Sequence, residues 1–579
     1  MILQRLCEAA PRFDFPPTGY QTRPVKWLIS LDAQGELLGF VRTTGDETRR
    51  VDRGKEIAIP FVLRTSGVAA QLLADRADYA LGHAGREPGE KEIKNTLLRH
   101  GAFLELLDEF VQESQFPPAQ TVRRFLENGA HADLPADLEP ADLVTFQVDG
   151  KLLVDEPEVR TYWAAQEAAR NATGAQGGCL VCGRVSGIAS PHPLPIKRVP
   201  GGQTSGCALV SVNARAFDSY GHDQDLSQCP VCWDCARDYA QVLNALLADP
   251  AHYFRLQDRI AYVFWTKESS EFNPTTMFFS PAETEVKALL ASVHEGKPVA
   301  SLAGNQFYAL ALSGSGGRVV IRDWLETTVA HVEANLARYF EALDLVDHEG
   351  QPGPPLGLYA LLGSLIPTKG QNPWRELSPN LASQFVRAAL SGGAWPAALL
   401  GRAVLRARQE QGLTRPRAAL IKLCLLLSGK EKEGPELNAE LNAGLKDPAY
   451  LCGRLLAILE SVQRAAIPGA KATMVDRYYG SASSAPASVF GLLMRQAQAH
   501  LSKLRKTSEG AYFRLQRDLE EVTAGLPAFP STLRLNEQGL FALGYFQQRA
   551  ADRAAMLEAR SRKASSALAD DSIGGTSDD

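Results

Sequence analysis

Histidine is scarce in this chain, at ten of 579 residues, and the usual catalytic signatures are missing. There is no HExxH, no GxSxG, no GxxxxGK followed by Ser or Thr, and no nuclease-like cluster of carboxylates. These absences argue against a zincin, an α/β-hydrolase, a P-loop nucleotide hydrolase and a metal-dependent nuclease. Gly314-Ser315-Gly316-Gly317 and Gly201-Gly202 lack the strand–loop–helix context of a nucleotide site. No run of 18 uncharged apolar residues occurs, so a membrane-spanning helix is not expected. The opening residues Met1 to Pro11 lack a basic stretch followed by an apolar one, and no signal peptide is expected. The nine cysteines are an odd number. Together these features point to a reducing cytoplasm, with thiols buried or metal-bound and not in disulfides.

What is present is ordinary in bulk and uneven in detail. Hydrophobic residues make up 45% and charged residues 22%, enough for substantial cores in two to four domains. The net charge of −5 disfavours a nucleic-acid partner only until its distribution is read. Residues 105–158 carry 13 acids against 3 bases. Residues 491–517 carry six bases, Arg495, Lys503, Arg505, Lys506, Arg514 and Arg517, against Glu509 alone. Such asymmetry says more about partners than the total does, although a solvated helix face accounts for a basic stretch equally well.

Periodicity predicts an α+β fold. A short helix spans residues 1–13. Alternating apolar residues predict a hairpin over 24–42 and a strand over 57–63. A helix is expected from Ala69 to Asp75 and another over 102–115. Asp149-Gly150 predicts a tight turn between 143–148 and 151–154. Helices follow at 158–171 and 236–247, then a strand at 261–265 and a hairpin over 306–322. A helix is expected from Asp323 to Leu345. From about 355 onward only helices are expected, at 381–390, 396–411, 415–428, 448–464, 486–506, 509–524 and 536–560. The small, polar residues 561–579 predict a disordered tail. The expected division is an N-terminal α+β region (1–175), a central region (176–350), a helical bundle (351–560) and that tail.

The strongest local signal is two cysteine clusters, Cys179-Leu180-Val181-Cys182 and Cys229-Pro230-Val231-Cys232-Trp233-Asp234-Cys235. Paired thiols at this spacing predict one structural, tetrahedral zinc site closing a long loop. Five thiols compete for four places. Pro230 suits the first position of a helix, which favours Cys179, Cys182, Cys229 and Cys232, with Cys235 as the substitute. His192 is a further candidate. Cys7, Cys207, Cys424 and Cys452 have no such neighbours and are expected to be core or incidental. Inside the loop, Lys197, Arg198, Gln203, Thr204, Ser205 and Asn213 suit contacts to phosphates or base edges. Gly201 and Gly202 either admit a ligand close to the backbone or simply make turns.

An ordered series of short motifs carries the sequence further. It includes Met1-Ile2-Leu3-Gln4-Arg5-Leu6, Arg64-Thr65-Ser66-Gly67 and Tyr79-Ala80-Leu81-Gly82. His192-Pro193, Ile196-Lys197, Gly201-Gly202-Gln203-Thr204-Ser205-Gly206, Ser211-Val212-Asn213 and Ser219-Tyr220-Gly221 follow. Phe307-Tyr308, Arg318 to Trp324, Arg417 to Lys422 and Arg477-Tyr478-Tyr479-Gly480 complete it. The series resembles the large subunit of the type I-C CRISPR Cascade over nearly the whole chain. The departure is at the cysteines, which many members lack in part, so the zinc site is expected to mark a branch.

The resemblance implies a non-catalytic role in an RNA-guided complex. Partners would be crRNA, double-stranded target DNA, its displaced single strand, the backbone, handle-binding and small subunits, and a separate helicase-nuclease. Such subunits read the PAM and backbone while the guide reads sequence. Lys197, Gln203, Thr204, Ser205 and Asn213, with Arg64, Thr65 and Ser66 as a second loop, become the PAM-contact candidates. The basic residues of 491–517, with Tyr512 and Phe513 as stacking partners, become a groove for the displaced strand. The resemblance also implies a separately made C-terminal product, for which Met474 is a candidate start. The competing readings are a metal-dependent nucleic-acid-processing enzyme, which needs an open zinc position, and a scaffold that meets only other subunits.

Overall fold

The computed structural model describes residues 2–573, apart from 45–53, 63, 65–66, 129–133, 173, 213–225, 227, 257, 271, 273, 295–303, 368–372 and 428–435. The fold is α+β with an all-helical C-terminal region. By contacts it falls into two compact units, residues 1–196 with 208–244, and residues 197–207 with 245–579.

The first unit is built on a small mixed sheet. The strand Trp27–Leu31 lies at its centre, antiparallel to Leu37–Arg42 and parallel to Leu143–Val148. Trp27, Ile29 and Leu31 point inward at period two. Helices Glu90–Ser114, Pro117–Glu127 and Pro157–Ala172 cover the sheet with Phe103, Leu107, Phe110, Val122, Phe125 and Trp163. Asp149 and Gly150 both take positive φ, 49° and 76°, as a tight turn between Leu143–Val148 and Lys151–Leu152 requires. A separate ribbon pairs Tyr20–Val25 with Lys55–Pro60.

The helix expected from Ala69 to Asp75 does not form. Leu73 takes a left-handed φ of 56°, and Ala74–Arg76 joins the sheet beside Leu143–Thr145. The Asp75 carboxylate accepts from the backbone N–H groups of Gln71 and Arg76, local bonds that compete with a helix.

The second unit opens on a four-stranded antiparallel meander, Tyr253–Leu256, Ile260–Thr266, Gln306–Ser315 and Arg318–Thr328. The helix expected from Asp323 starts instead at Val329 and runs to Leu343, capped by the Thr328 hydroxyl. The ladder survives past a bulge at Ala311/Leu312, and Trp324 pairs with Leu310 and stacks on Tyr308. One face of the sheet shares its core with the helices that follow. These are Leu358–Gly363, Pro379–Ser391, Ala397–Glu410, Arg415–Leu427, Pro448–Ala466, Met474–Ala482, Phe490–Thr507, Glu509–Ala524 and Leu535–Ile573. Leu358–Gly363 and Met474–Ala482 are additional to the expected set, and the second starts at a Thr473/Asp476 capping box. The last helix continues to Ile573, through most of the segment expected to be a disordered tail.

Pro448–Ala466 is buried along most of its length. It meets Leu535–Ile573 through two glycines. A Cβ on Gly453 would stand 2.0 Å from the Phe541 carbonyl oxygen, and one on Gly544 would stand 2.3 Å from that of Tyr450. Four side-chain bonds join the same helices. Tyr450 donates to Gln547, Arg454 to Gln548, Ser461 to Asp552, and Tyr545 to Glu460. Substituting Gly453→Ala should force the helices apart at a cost of about 1–3 kcal/mol. Thermal unfolding should show a midpoint several degrees lower; an unchanged midpoint contradicts the packing described.

Candidate metal centre and nucleic-acid interface

The first cysteine pair sits on a knuckle. Strands Gln176–Gly178 and Val185–Gly187 pair, the Cys179 N–H donates to the Arg184 carbonyl, and the Gly183 N–H donates back to the Cys179 carbonyl. Gly183 turns the chain at a φ of 75°, which glycine alone adopts without strain. The second pair comes from the start of the helix Trp233–Leu246. Cys232 immediately precedes that helix and bridges to Ile188; Cys235 follows one turn later.

The sulfurs of Cys179, Cys182, Cys232 and Cys235 all lie within 4.8 Å of one another. Cys182 and Cys232 are 3.8 Å apart. Four thiolates at about 2.3 Å from a zinc ion define a tetrahedron with edges of about 3.8 Å, so this donor set fits one. The Cys179 sulfur also accepts the N–H groups of Val181 and Cys232, at 3.4 and 3.3 Å. Burial opposes ionisation of Cys182, but its hydrogen bonds from Arg184 lower its pKa to about 6. Burial raises Cys232, while a hydrogen bond with Cys7, then burial, raises Cys235. A divalent cation in the cluster would deprotonate all four.

The sequence argument preferred Cys229 over Cys235, and the geometry reverses that choice. The helix begins three residues later than Pro230 suggests. Cys232, just before the helix, and Cys235, in its first turn, are three residues apart and bring their sulfurs together. Cys229 lies in the turn before, its N–H donating to Leu226. His192 is not in the cluster; its Nδ1 lies 2.6 Å from the Tyr239 hydroxyl. Cys7, expected to be incidental, has its sulfur 3.4 Å from the Cys235 carbonyl oxygen. Nothing in its sequence surroundings marked it.

The polar loop belongs to the second unit. Val199 and Cys207 are buried, and Lys197, Arg198, Gln203, Thr204 and Ser205 are exposed between and beside them. Two turns shape it, closed by Gly202 N–H to Val199 and Gly206 N–H to Gln203. The loop lies on the tip of the hairpin formed by Gln306–Ser315 and Arg318–Thr328. The Gly314 N–H donates to the Pro200 carbonyl at 2.7 Å, and Gly202 bridges to Gly316. A Cβ on Gly314 would stand 2.2 Å from the Gly202 nitrogen, and one on Gly202 would stand 2.4 Å from the Cys207 sulfur. The glycines thus permit a backbone-on-backbone dock. The Gln203 amide lies near Gly317 of the hairpin tip, and the Arg198 carbonyl accepts from Arg255. Asn213 lies outside the described residues.

Arg64 is engaged within the first unit. Its guanidinium meets the buried Asp75 carboxylate at 2.5 Å, donates to the Ala69 carbonyl and covers the Tyr79 ring at 4.0 Å. Thr65 and Ser66 lie outside the described residues. In the C-terminal region, Arg495, Lys503, Arg505 and Lys506 are exposed on Phe490–Thr507 and make no ion pair among the described residues. Arg514 and Arg517 both approach Asp518, at 3.5 and 3.3 Å. Phe513 is 62% exposed beside Tyr512, their ring centroids 5.3 Å apart.

The cluster makes a direct prediction. Metal analysis of the purified chain should find about one equivalent of zinc, the capacity of one four-thiolate site. Cys235→Ser should lose most of it, while Cys229→Ser should keep it. The opposite pattern would restore Cys229 as the fourth ligand.

Among the described residues no helix is long and apolar enough to cross a membrane. No curated protein matches the chain. A family model described as "CRISPR-associated protein (Cas_Csd1)" matches residues 3–552. With a match over that span, in agreement with the likeness to type I-C Cascade large subunits carried by its motifs, the chain belongs to the CRISPR-associated Csd1 family.

Proposed function

We propose that this chain is the non-catalytic large subunit of an RNA-guided surveillance complex, reading the PAM in duplex DNA and helping to open it. The observation that carries this reading is the docked loop. Gln203, Thr204 and Ser205 are held exposed by a backbone fixed at both of its turns. Short polar side chains on such a platform suit base edges; Gln pairs with the N6/N7 edge of adenine. Lys197 and Arg198, exposed at the loop's start, suit the phosphates beside it. Asn213, Thr65 and Ser66 remain candidates from the motif series, while the Arg64 guanidinium is engaged with Asp75.

In this reading the regions divide the work. The central region (176–350) reads the duplex and the N-terminal region (1–175) supports it. The helical bundle (351–560) holds the displaced strand. Arg495, Lys503, Arg505 and Lys506 supply the electrostatic track and Phe513 a stacking surface. Arg514 and Arg517 contribute less, because Asp518 offsets part of their charge. The crRNA, the other Cascade subunits and the helicase-nuclease are the remaining partners, and the cytoplasm is the compartment. A separately made C-terminal product starting at Met474 would lack Pro448–Ala466, removing Tyr450 from Gln547, Arg454 from Gln548 and Ser461 from Asp552. A self-sufficient product would therefore start upstream of Pro448.

Zinc is the metal proposed for the cysteine cluster, in a structural role. The alternative, an enzyme working through that metal, needs three protein ligands and an open position for water. Four converging thiols favour the closed, structural arrangement.

Replacing Gln203 with Ala should weaken binding to duplexes carrying the correct PAM by about tenfold, the value of one good base contact. Assembly of the complex and binding to PAM-less DNA should be unchanged. Equal losses on both DNAs, measured at one fixed salt concentration, would remove Gln203 from the PAM contact.

A further inference from the structure

In the first unit, the segments 190–195 and 208–212 with Tyr239 surround a cavity of about 340 Å³. That lies at the lower end of the range for small-ligand sites. Its walls are mostly apolar, with the rings of Pro191 and Pro193 and the side chain of Val210 among them. The polar groups on it are His192, Tyr239 and two serines, of which Ser211 is one. Among the described residues, no lysine, arginine or carboxylate lines it.

His192 has an unfinished valence there. Its Nδ1 is bonded to the Tyr239 hydroxyl at 2.6 Å, and its Nε2 is buried without a hydrogen-bond partner among the described residues. Burial lowers the imidazole pKa to about 4, so the ring is neutral at physiological pH. Burial also raises the pKa of the Tyr239 phenol, which keeps its proton and can donate it to Nδ1. The single imidazole proton then sits on Nε2 and calls for an acceptor on whatever fills the cavity. Cation-free walls select against a phosphate. Apolar walls with one directed donor suit an uncharged heteroaromatic ring.

We propose that this cavity receives the base of one unpaired nucleotide, walled by Pro191, Pro193 and Val210 and hydrogen-bonded by His192. The proposal rests on the nucleic-acid function argued above and adds a contact distinct from PAM reading. A guide RNA and a displaced DNA strand offer the same chemistry, and RNA and DNA probes separate them.

The test is photo-cross-linking of the full chain to short single-stranded RNA and DNA oligonucleotides carrying 4-thiouracil or 4-thiothymine. Cross-links should map to residues 190–195, 208–212 or 239, in the arm that matches the natural source. Val210→Trp, which fills the cavity, should reduce them about tenfold, as expected for one lost base contact. Tyr239→Phe keeps the ring but releases His192 and should reduce them severalfold, so the result does not rest on one variant. Both variants should keep the wild-type circular dichroism. Cross-links that map only to 203–205 or 495–517, or that neither variant changes, would overturn the base pocket and leave the PAM reading standing. No cross-link anywhere on the folded chain would overturn the pocket together with the nucleic-acid reading it rests on.

Discussion

The loop Lys197–Cys207 depends on one constraint, the absence of side chains where it touches the hairpin tip. A methyl group on Gly314 would run into the Gly202 backbone, and one on Gly202 would run into the loop's own Cys207 sulfur. Two consequences follow. The loop's backbone polar groups find partners in its own turns and in the Gly314 N–H, so it needs no regular secondary structure to be ordered. Thr204 and Ser205 stay outside the contact and Gln203 lies at its edge beside Gly317, all three exposed. A loop stapled at its base, with polar residues exposed at its crest, is what the proposed PAM reading asks of it.

The cysteine cluster applies the same logic elsewhere in the chain, with sulfur in place of glycine. Segments 53 residues apart, at Cys179 and Cys232, meet through an N–H to sulfur bond and through the carbonyls of Pro230 and Val231. A metal there would add cross-links to a contact the backbone already makes. The knuckle and the helix also have hydrogen bonds of their own, so the contact does not rest on a metal alone. Closure by metal would then set stability without setting function.

Much of this was legible in the sequence, for local reasons. Asp149-Gly150 fixed its turn because few other pairs tolerate two positive φ angles in succession. The helices from Pro379 to Ala466 and from Phe490 to Ala524 showed apolar periodicity and clear stops. The expectations that failed were those where a distant partner overrode local preference. Asp323 to Thr328 reads as the start of a helix, yet Trp324 finds Tyr308 across the ladder and the strand continues. Ala69 to Asp75 reads as helical until Asp75 is seen bonding its own backbone neighbours. The cysteines were found by spacing, but the choice between Cys229 and Cys235 turned on where a helix starts, and sequence locates that only to within a few residues. The glycines of the loop were visible, but their mutual docking was not, because the contact joins residues more than 100 positions apart.

The central claim is that PAM discrimination resides in this chain. The direct measurement is binding of the assembled complex, with and without this subunit, to duplexes that differ only in the PAM, at one fixed salt concentration. The account predicts that discrimination vanishes when the subunit is left out, while residual binding to both duplexes becomes equal. Discrimination that survives its omission would place PAM reading in another subunit and contradict the account.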